Sequence, residues 1–196
     1  MALLDSGYML SCADESLIGG VRRLFIINRE LLDAENGFTA SASNHSYTSY
    51  AVSASTTADP GNLWHEFEFT ENTLTATFET TLEETGSSFV NMSITGFIPK
   101  QEKEKADKLH KAIKSCKMVA IVQNNEGEAF VYGFDEKMKT DAALRAAANG
   151  ETGADLADRN GYEFRLEGRG WDIPRQFIGS IDTSSPRYTD GIVSFS

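Results

Sequence analysis

The 196-residue chain carries 18 Lys and Arg against 29 Asp and Glu, a formal net charge of −11. That balance argues against a protein that wraps nucleic acid, because phosphate contacts need clustered Lys and Arg. It suits plain solubility, or a surface that DNA passes without sticking. With 40% hydrophobic residues the chain has material for a real core, and its length fits one domain of generous size with arms and loops.

Cys12 and Cys116 lie far apart and form neither a CxxC pair nor a secretory disulfide framework, which suits a reducing cytoplasm. Met1 to Asp5 is too short in apolar residues for a signal-peptide core. No apolar run approaches the ~20 residues of a membrane-spanning helix. The expectation is a soluble protein made in the cytoplasm, with no membrane span.

Residues 1–18 precede the first strong pattern and read as an N-terminal arm. Val21 to Asn28 (VRRLFIIN) then predicts a buried strand, entered from a turn or close approach at Gly19-Gly20. Residues 38–60 follow as a stretch rich in Ser, Thr, Ala, Tyr and Asn, with almost no charge. Two readings of it stay open: a disordered loop, or extended chain that orders only against a neighbouring subunit.

The next block alternates with a period of two, the signature of antiparallel strands with one wet face. Phe67 and Phe69 alternate with Glu66 and Glu68. Leu74, Ala76, Phe78 and Leu82 share one face, and Thr73, Thr75, Thr77 and Glu79 the other. Val90, Met92 and Ile94 keep the same period, and Glu83 to Ser88 has the composition of a hairpin loop. A long hairpin of this kind is a device for joining subunits edge to edge. Its apolar residues Leu74, Ala76, Phe78, Val90, Met92 and Ile94 are therefore the candidate inter-subunit set.

Pro99 ends the sheet, and Gln101 to Cys116 predicts one helix with Ala106, Leu109, Ile113 and Cys116 on its apolar face. Glu104 pairs with Lys108 on the outer face. Lys111, Lys114 and Lys117 gather where the helix dipole favours cations, and no interleaved aromatics make them a nucleic-acid site. Met118 to Val122 and Ala129 to Phe134, apolar on both faces, predict a buried hairpin turning at Asn124 to Gly127. Asp141 to Ala148 (DAALRAAA) predicts a short helix capped by Asp141 and ended by Asn149-Gly150. Tyr162, Phe164 and Leu166 alternate with Glu163, Arg165 and Glu167 as a half-exposed strand. Beyond Trp171 the pattern is irregular and carries Pro174 and Pro186, with a last strand candidate over residues 191–195.

Catalytic patterns are absent. There is no GxxxxGK phosphate loop, GxSxG elbow or Cys-His motif. His45, His65 and His110 have no partners at metal-ligand spacing. Asp158, Asn160, Gly161 and Glu167 fall at EF-hand loop positions, but Leu156 occupies the usually acidic first one, so residues 159–161 read as a hairpin turn. Trp64 and Trp171 are the two exposed-aromatic candidates for a carbohydrate or small-ligand platform, although packing is the commoner fate of such residues. No enzyme, cofactor or metal site is expected.

Three stretches carry a resemblance: GGVRRLFIIN at 19–28, KMVAIVQNNEGEAFVYGF at 117–134 and GADLADRNGYEFRLEG at 153–168. With the polar arm, long hairpin and helix between them, they resemble the tail tube (major tail protein) family of bacteriophages in organisation over most of the chain. The resemblance implies a mainly β fold, an antiparallel β-sandwich or barrel with a long hairpin and one flanking α-helix. It further implies self-assembly into stacked, hexameric rings whose sheets join around a lumen that conducts genomic DNA, within a virion tail assembled in the host cytoplasm. On that reading Thr73, Thr75, Thr77 and Glu79 are the candidate lumen or tube-surface face, since carboxylates repel phosphates and hydroxyls hold them weakly. Partners would be further copies of the chain and other tail or neck proteins. The alternatives are another virion component (neck, tail terminator or head decoration) or a β-sandwich ligand-binding module.

Overall fold

The computed structural model describes residues 20–42, 45–53, 64–67, 69, 73–82, 88–115, 117–152, 160–183 and 192–195. The expected N-terminal arm, both cysteines, the hairpin loop at 83–87 and residues 156–159 lie outside them. In chain order the strands are β1 (Val21–Asn28), β2 (Phe38–Ala40), β3 (Ser46–Tyr50), β4 (His65–Phe67), β5 (Thr75–Leu82) and β6 (Ser88–Pro99). After the helix α1 (Lys103–Lys114) come β7 (Met118–Asn124), β8 (Ala129–Tyr132), β9 (Arg145–Glu151), β10 (Gly161–Gly170), β11 (Arg175–Phe177), β12 (Ser180–Asp182) and β13 (Ile192–Ser194). The fold is mainly β, with antiparallel sheets, a sandwich-like layout and one α-helix.

A seven-stranded sheet has the order β2-β3-β11-β8-β7-β1-β4, and a four-stranded sheet the order β5-β6-β10-β9. The continuous apolar runs of β1 and β7 explain why the larger sheet is buried on both faces. Leu24, Ile26, Ala120 and Val122 point at the four-stranded sheet and pack with Val90, Met92, Ile94, Phe164 and Leu166. The alternate residues Phe25, Ile27, Val119 and Ile121 enter a second core with Phe38, Tyr47, Trp64, Phe134, Phe177 and Phe195. The larger sheet curls around that second core. Phe38 on β2 and Trp64, next to β4, belong to opposite ends of the sheet, yet their rings lie 6.3 Å apart, edge to face. The described sheets remain open and do not close into a barrel.

Residues 38–42 and 45–53 are ordered against this chain's own core. Phe38 and Tyr47 are buried, and two aromatic anchors outweigh the polar composition around them. The helix expected at 141–148 is absent. Residues 140–142 make a single 3-10 turn and β9 follows. Its residues Arg145 to Glu151 pair with β10 from Glu167 to Gly161, and this sheet pairing overrides the alanine-rich helical propensity. On α1 Leu109 is buried as the stripe predicts, but the next buried position is Ala112 and not Ile113, which is 41% exposed.

Gly133 marks the corner where the two sheets meet. Its φ is +85°, and an added Cβ would lie 2.9 Å from Leu144 Cγ and 3.0 Å from the Met118 carbonyl. Met118 and Leu144 exchange both backbone hydrogen bonds there, at 2.8 and 2.7 Å. Strain and crowding act together, so Gly133→Ala is expected to destabilise the fold by about 1–3 kcal/mol. Equilibrium urea unfolding checks this, with an unchanged midpoint as the contrary result.

Candidate assembly surface

The long hairpin is formed by β5 and β6, paired antiparallel from Thr75↔Thr95 to Leu82↔Ser88. Its inner face carries Ala76, Phe78, Thr80 and Leu82 beside Ile94, Met92, Val90 and Ser88. Leu74, Val90, Met92 and Ile94 are buried in this chain's own core, with Ala76 packed against it, so they are not available to a neighbour. Phe78 is different, being 50% exposed, and Leu82 is 75% exposed. They continue the apolar row past the point where the larger sheet covers it. The candidate inter-subunit set thus narrows to Phe78 and gains Leu82.

β5 is an edge strand, paired only with β6 among the described residues, and β9 is the opposite edge of the same sheet. The two edges differ in bulk. β5 offers Phe78 and Leu82, whereas β9 offers Ala146, Ala147, Ala148 and Gly150. The outer-facing positions Arg145, Ala147 and Asn149 of β9 are exposed. α1 touches β9 and sinks Leu109 and Ala112 into the core that Ala146 and Ala148 pack against.

Thr75, Thr77 and Glu79 lie on the outer, exposed face of the small sheet, in register with Thr95, Ser93 and Asn91. Thr73 precedes the strand, and its hydroxyl reaches the Phe97 carbonyl at 3.5 Å. Across β10 and β9 this face continues with Glu163, Arg165, Glu167, Arg169 and Arg145. Three carboxylates therefore meet three guanidiniums, and among the described side chains the face sums to zero instead of being acidic. Arg165 sits between Glu163 and Glu167 at 3.5 and 3.3 Å, and Arg169 donates to Asn91 at 3.1 Å.

Trp64 is fully buried, so the two tryptophans make no common platform. Trp171 is 38% exposed, and its ring face is occupied by the Lys137 ammonium at 3.1 Å. Burial, with the Lys108 ammonium nearby, holds His65 below the ordinary imidazole range. Burial also raises Tyr132 to about 12, out of the range of a general acid at neutral pH. The buried Asp135 carboxylate is taken up by backbone N–H groups of Lys137, Met138 and Trp171, a staple between the β8–β9 connection and the end of β10. Among the described residues no cluster of three His, Cys, Asp or Glu is arranged to hold a metal ion, and no helix is long and apolar enough to cross a membrane. Compared with known proteins, the chain matches no family model, no curated protein and no solved structure.

Proposed function

We propose that this chain is a structural subunit that joins copies of itself edge to edge into rings and stacks them into a tube, as in the tail tube of a bacteriophage. The observation that carries the reading is the edge strand β5, which no described strand covers and which holds Phe78 and Leu82 exposed at the end of an otherwise buried inner face. Natural edge strands are usually blunted by charge, proline or a cover, so a long bare edge with apolar side chains marks a pairing site. The small sheet also has a property that suits head-to-tail joining. Its strands alternate in direction, and there are four of them, so placing β5 of one copy beside β9 of the next continues the antiparallel order without a break. The bulky edge then meets the alanine edge.

In such a ring the Thr75, Thr77 and Glu79 face lines the lumen or the tube surface, since the opposite face of the sheet is core. Hydroxyls and internally neutralised charges suit a wall that DNA passes without being held, because tight phosphate binding needs an excess of cations. The protein would then belong to the virion tail, assembled in the host cytoplasm with other tail or neck proteins. Native mass spectrometry over a concentration series tests the reading. Ring-sized oligomers that grow into higher multiples are expected. A single closed ring that never grows would move the assignment to a neck, terminator or decoration protein. A monomer at every concentration would overturn self-assembly and favour a ligand-binding module.

A further inference from the structure

We propose that the rings stack by seating the β7–β8 turn of one copy in a basic cleft on the next, an inference that rests on the self-assembly reading above. The cleft has a volume of about 250 Å³ and is lined by Arg29, Glu30, Lys117 and Arg145. The topology brings these residues together, because β1 ends where β7 begins. The Arg29 amide donates to the Lys117 carbonyl at 3.1 Å, and the Met118–Leu144 bridge sets Arg145 alongside. Asp141 orders two of the cations: Lys117 Nζ donates to its carbonyl oxygen at 2.9 Å, and Arg29 meets its carboxylate at 3.2 Å. The Arg145 side chain makes no ion pair or hydrogen bond among the described residues, with Glu167 opposite it on β10. Three cations thus face Glu30 and Asp141, a local surplus of positive charge on a chain whose net charge is −11.

β7 runs from this cleft to the other end of the sheet, roughly 20 Å away at about 3.3 Å per residue. There its turn into β8 presents Glu126 and Glu128, both exposed. The turn is held by side-chain bonds to its own backbone. Asn124 Oδ1 accepts from the amides of Glu126 and Glu128 at 3.1 and 2.9 Å, and Gln123 Nε2 donates to the Gly127 carbonyl at 2.9 Å. The two glutamate side chains take no part in those bonds, so they stand ready on a fixed loop. Opposite charges at opposite ends of one strand pair cannot satisfy each other within a molecule. They meet only between copies related head to tail, and such a contact propagates instead of closing. Electrostatic matching of this kind sets register and partner choice, and salt weakens it.

Two charge-reversed proteins test the inference: Lys117→Glu with Arg145→Glu, and Glu126→Lys with Glu128→Lys. Each alone is expected to need at least a tenfold higher concentration than the wild type to form tubes, while rings persist. An equimolar mixture should recover tubes, because each protein then offers the charge the other lacks. Arg145→Gln alone breaks no side-chain hydrogen bond or ion pair, sets no like charge opposite Glu167, and serves as the second variant should loss of the Lys117 bond unfold the first. Its thermal melt should match the wild type while its stacking weakens. Stacking at wild-type concentrations by every variant, or a mixture no better than its components, overturns the inference. Wild-type rings that never stack overturn it too, yet leave edge pairing standing. A wild-type protein that stays monomeric overturns both.

Discussion

Replacing Phe78 and Leu82 together by lysine is expected to give a folded monomer that does not assemble. Both side chains lie outside the core and are 50% and 75% exposed, so the isolated subunit loses only the burial of half of Phe78 and a quarter of Leu82 when they change. In the assembled state each would be buried, and full burial of such a side chain is worth about 1.5–3 kcal/mol. Only their remaining exposure is gained on assembly, so losing both weakens every subunit contact by roughly 2–4 kcal/mol, or about 30- to 700-fold in association constant at 1.4 kcal/mol per decade. Lysine adds a second penalty, since a charge on an edge strand is how natural sheets prevent pairing. Sedimentation velocity reads the assembly, and circular dichroism melts read the fold. Ile178→Lys, an exposed apolar site between β11 and β12 on the larger sheet, should assemble as the wild type does. Unchanged assembly of the Phe78 and Leu82 variant would remove β5 from the interface.

Trp64→Ala is expected to cost about 3–5 kcal/mol of stability. Trp64 is 0% exposed and packs edge to face on Phe38 and on Tyr50, at 6.3 and 5.8 Å between centroids. Its backbone amide donates to the Asp182 carbonyl at 3.2 Å. It therefore ties together the two ends of the curled sheet and the β12–β13 pair, and its removal leaves a cavity that the surrounding rings cannot close without shifting. For a chain of this size the loss corresponds to a fall in melting temperature of roughly 6–20 °C. Differential scanning calorimetry measures it. A shift of less than a few degrees would mean that Phe38, Tyr50 and Phe134 collapse into the space, and that the seam is held elsewhere.

The parts of the fold legible in the sequence are those where one periodicity dominates. VRRLFIIN became β1 with its predicted bounds, and the alternations at 73–82, 89–98 and 162–166 became β5, β6 and β10. In each, side-chain period and backbone geometry agree. The failures lie where local preference and tertiary context disagree. DAALRAAA reads as helix because alanine favours helix, but β10 supplies a ladder of hydrogen-bonding partners that an isolated segment does not have. That misreading hid β9, the second edge of the small sheet, and with it the Arg145 side of the basic cleft. The polar 38–60 stretch leaves its order open in the sequence because, over its described residues, a few aromatic side chains carry the burial. Glu66 was expected on a wet face, yet its side chain is only 4% exposed, with Arg23 Nε at 3.8 Å; ion pairing across β4 and β1 has no periodic signature. For the proposed assembly surface, the sequence located the long hairpin but not which of its apolar residues lie outside the core. Only the position of the covering sheet decides that Val90, Met92 and Ile94 are core while Phe78 and Leu82 are not.

The most direct test of self-assembly through the β5 edge is negative-stain electron microscopy of the purified chain across a concentration series. The structure of the subunit and its bare, apolar edge predict rings and tubes with an open channel in end-on views. A field of single particles of about the mass of one chain, 21.5 kDa, at the highest concentration would contradict it.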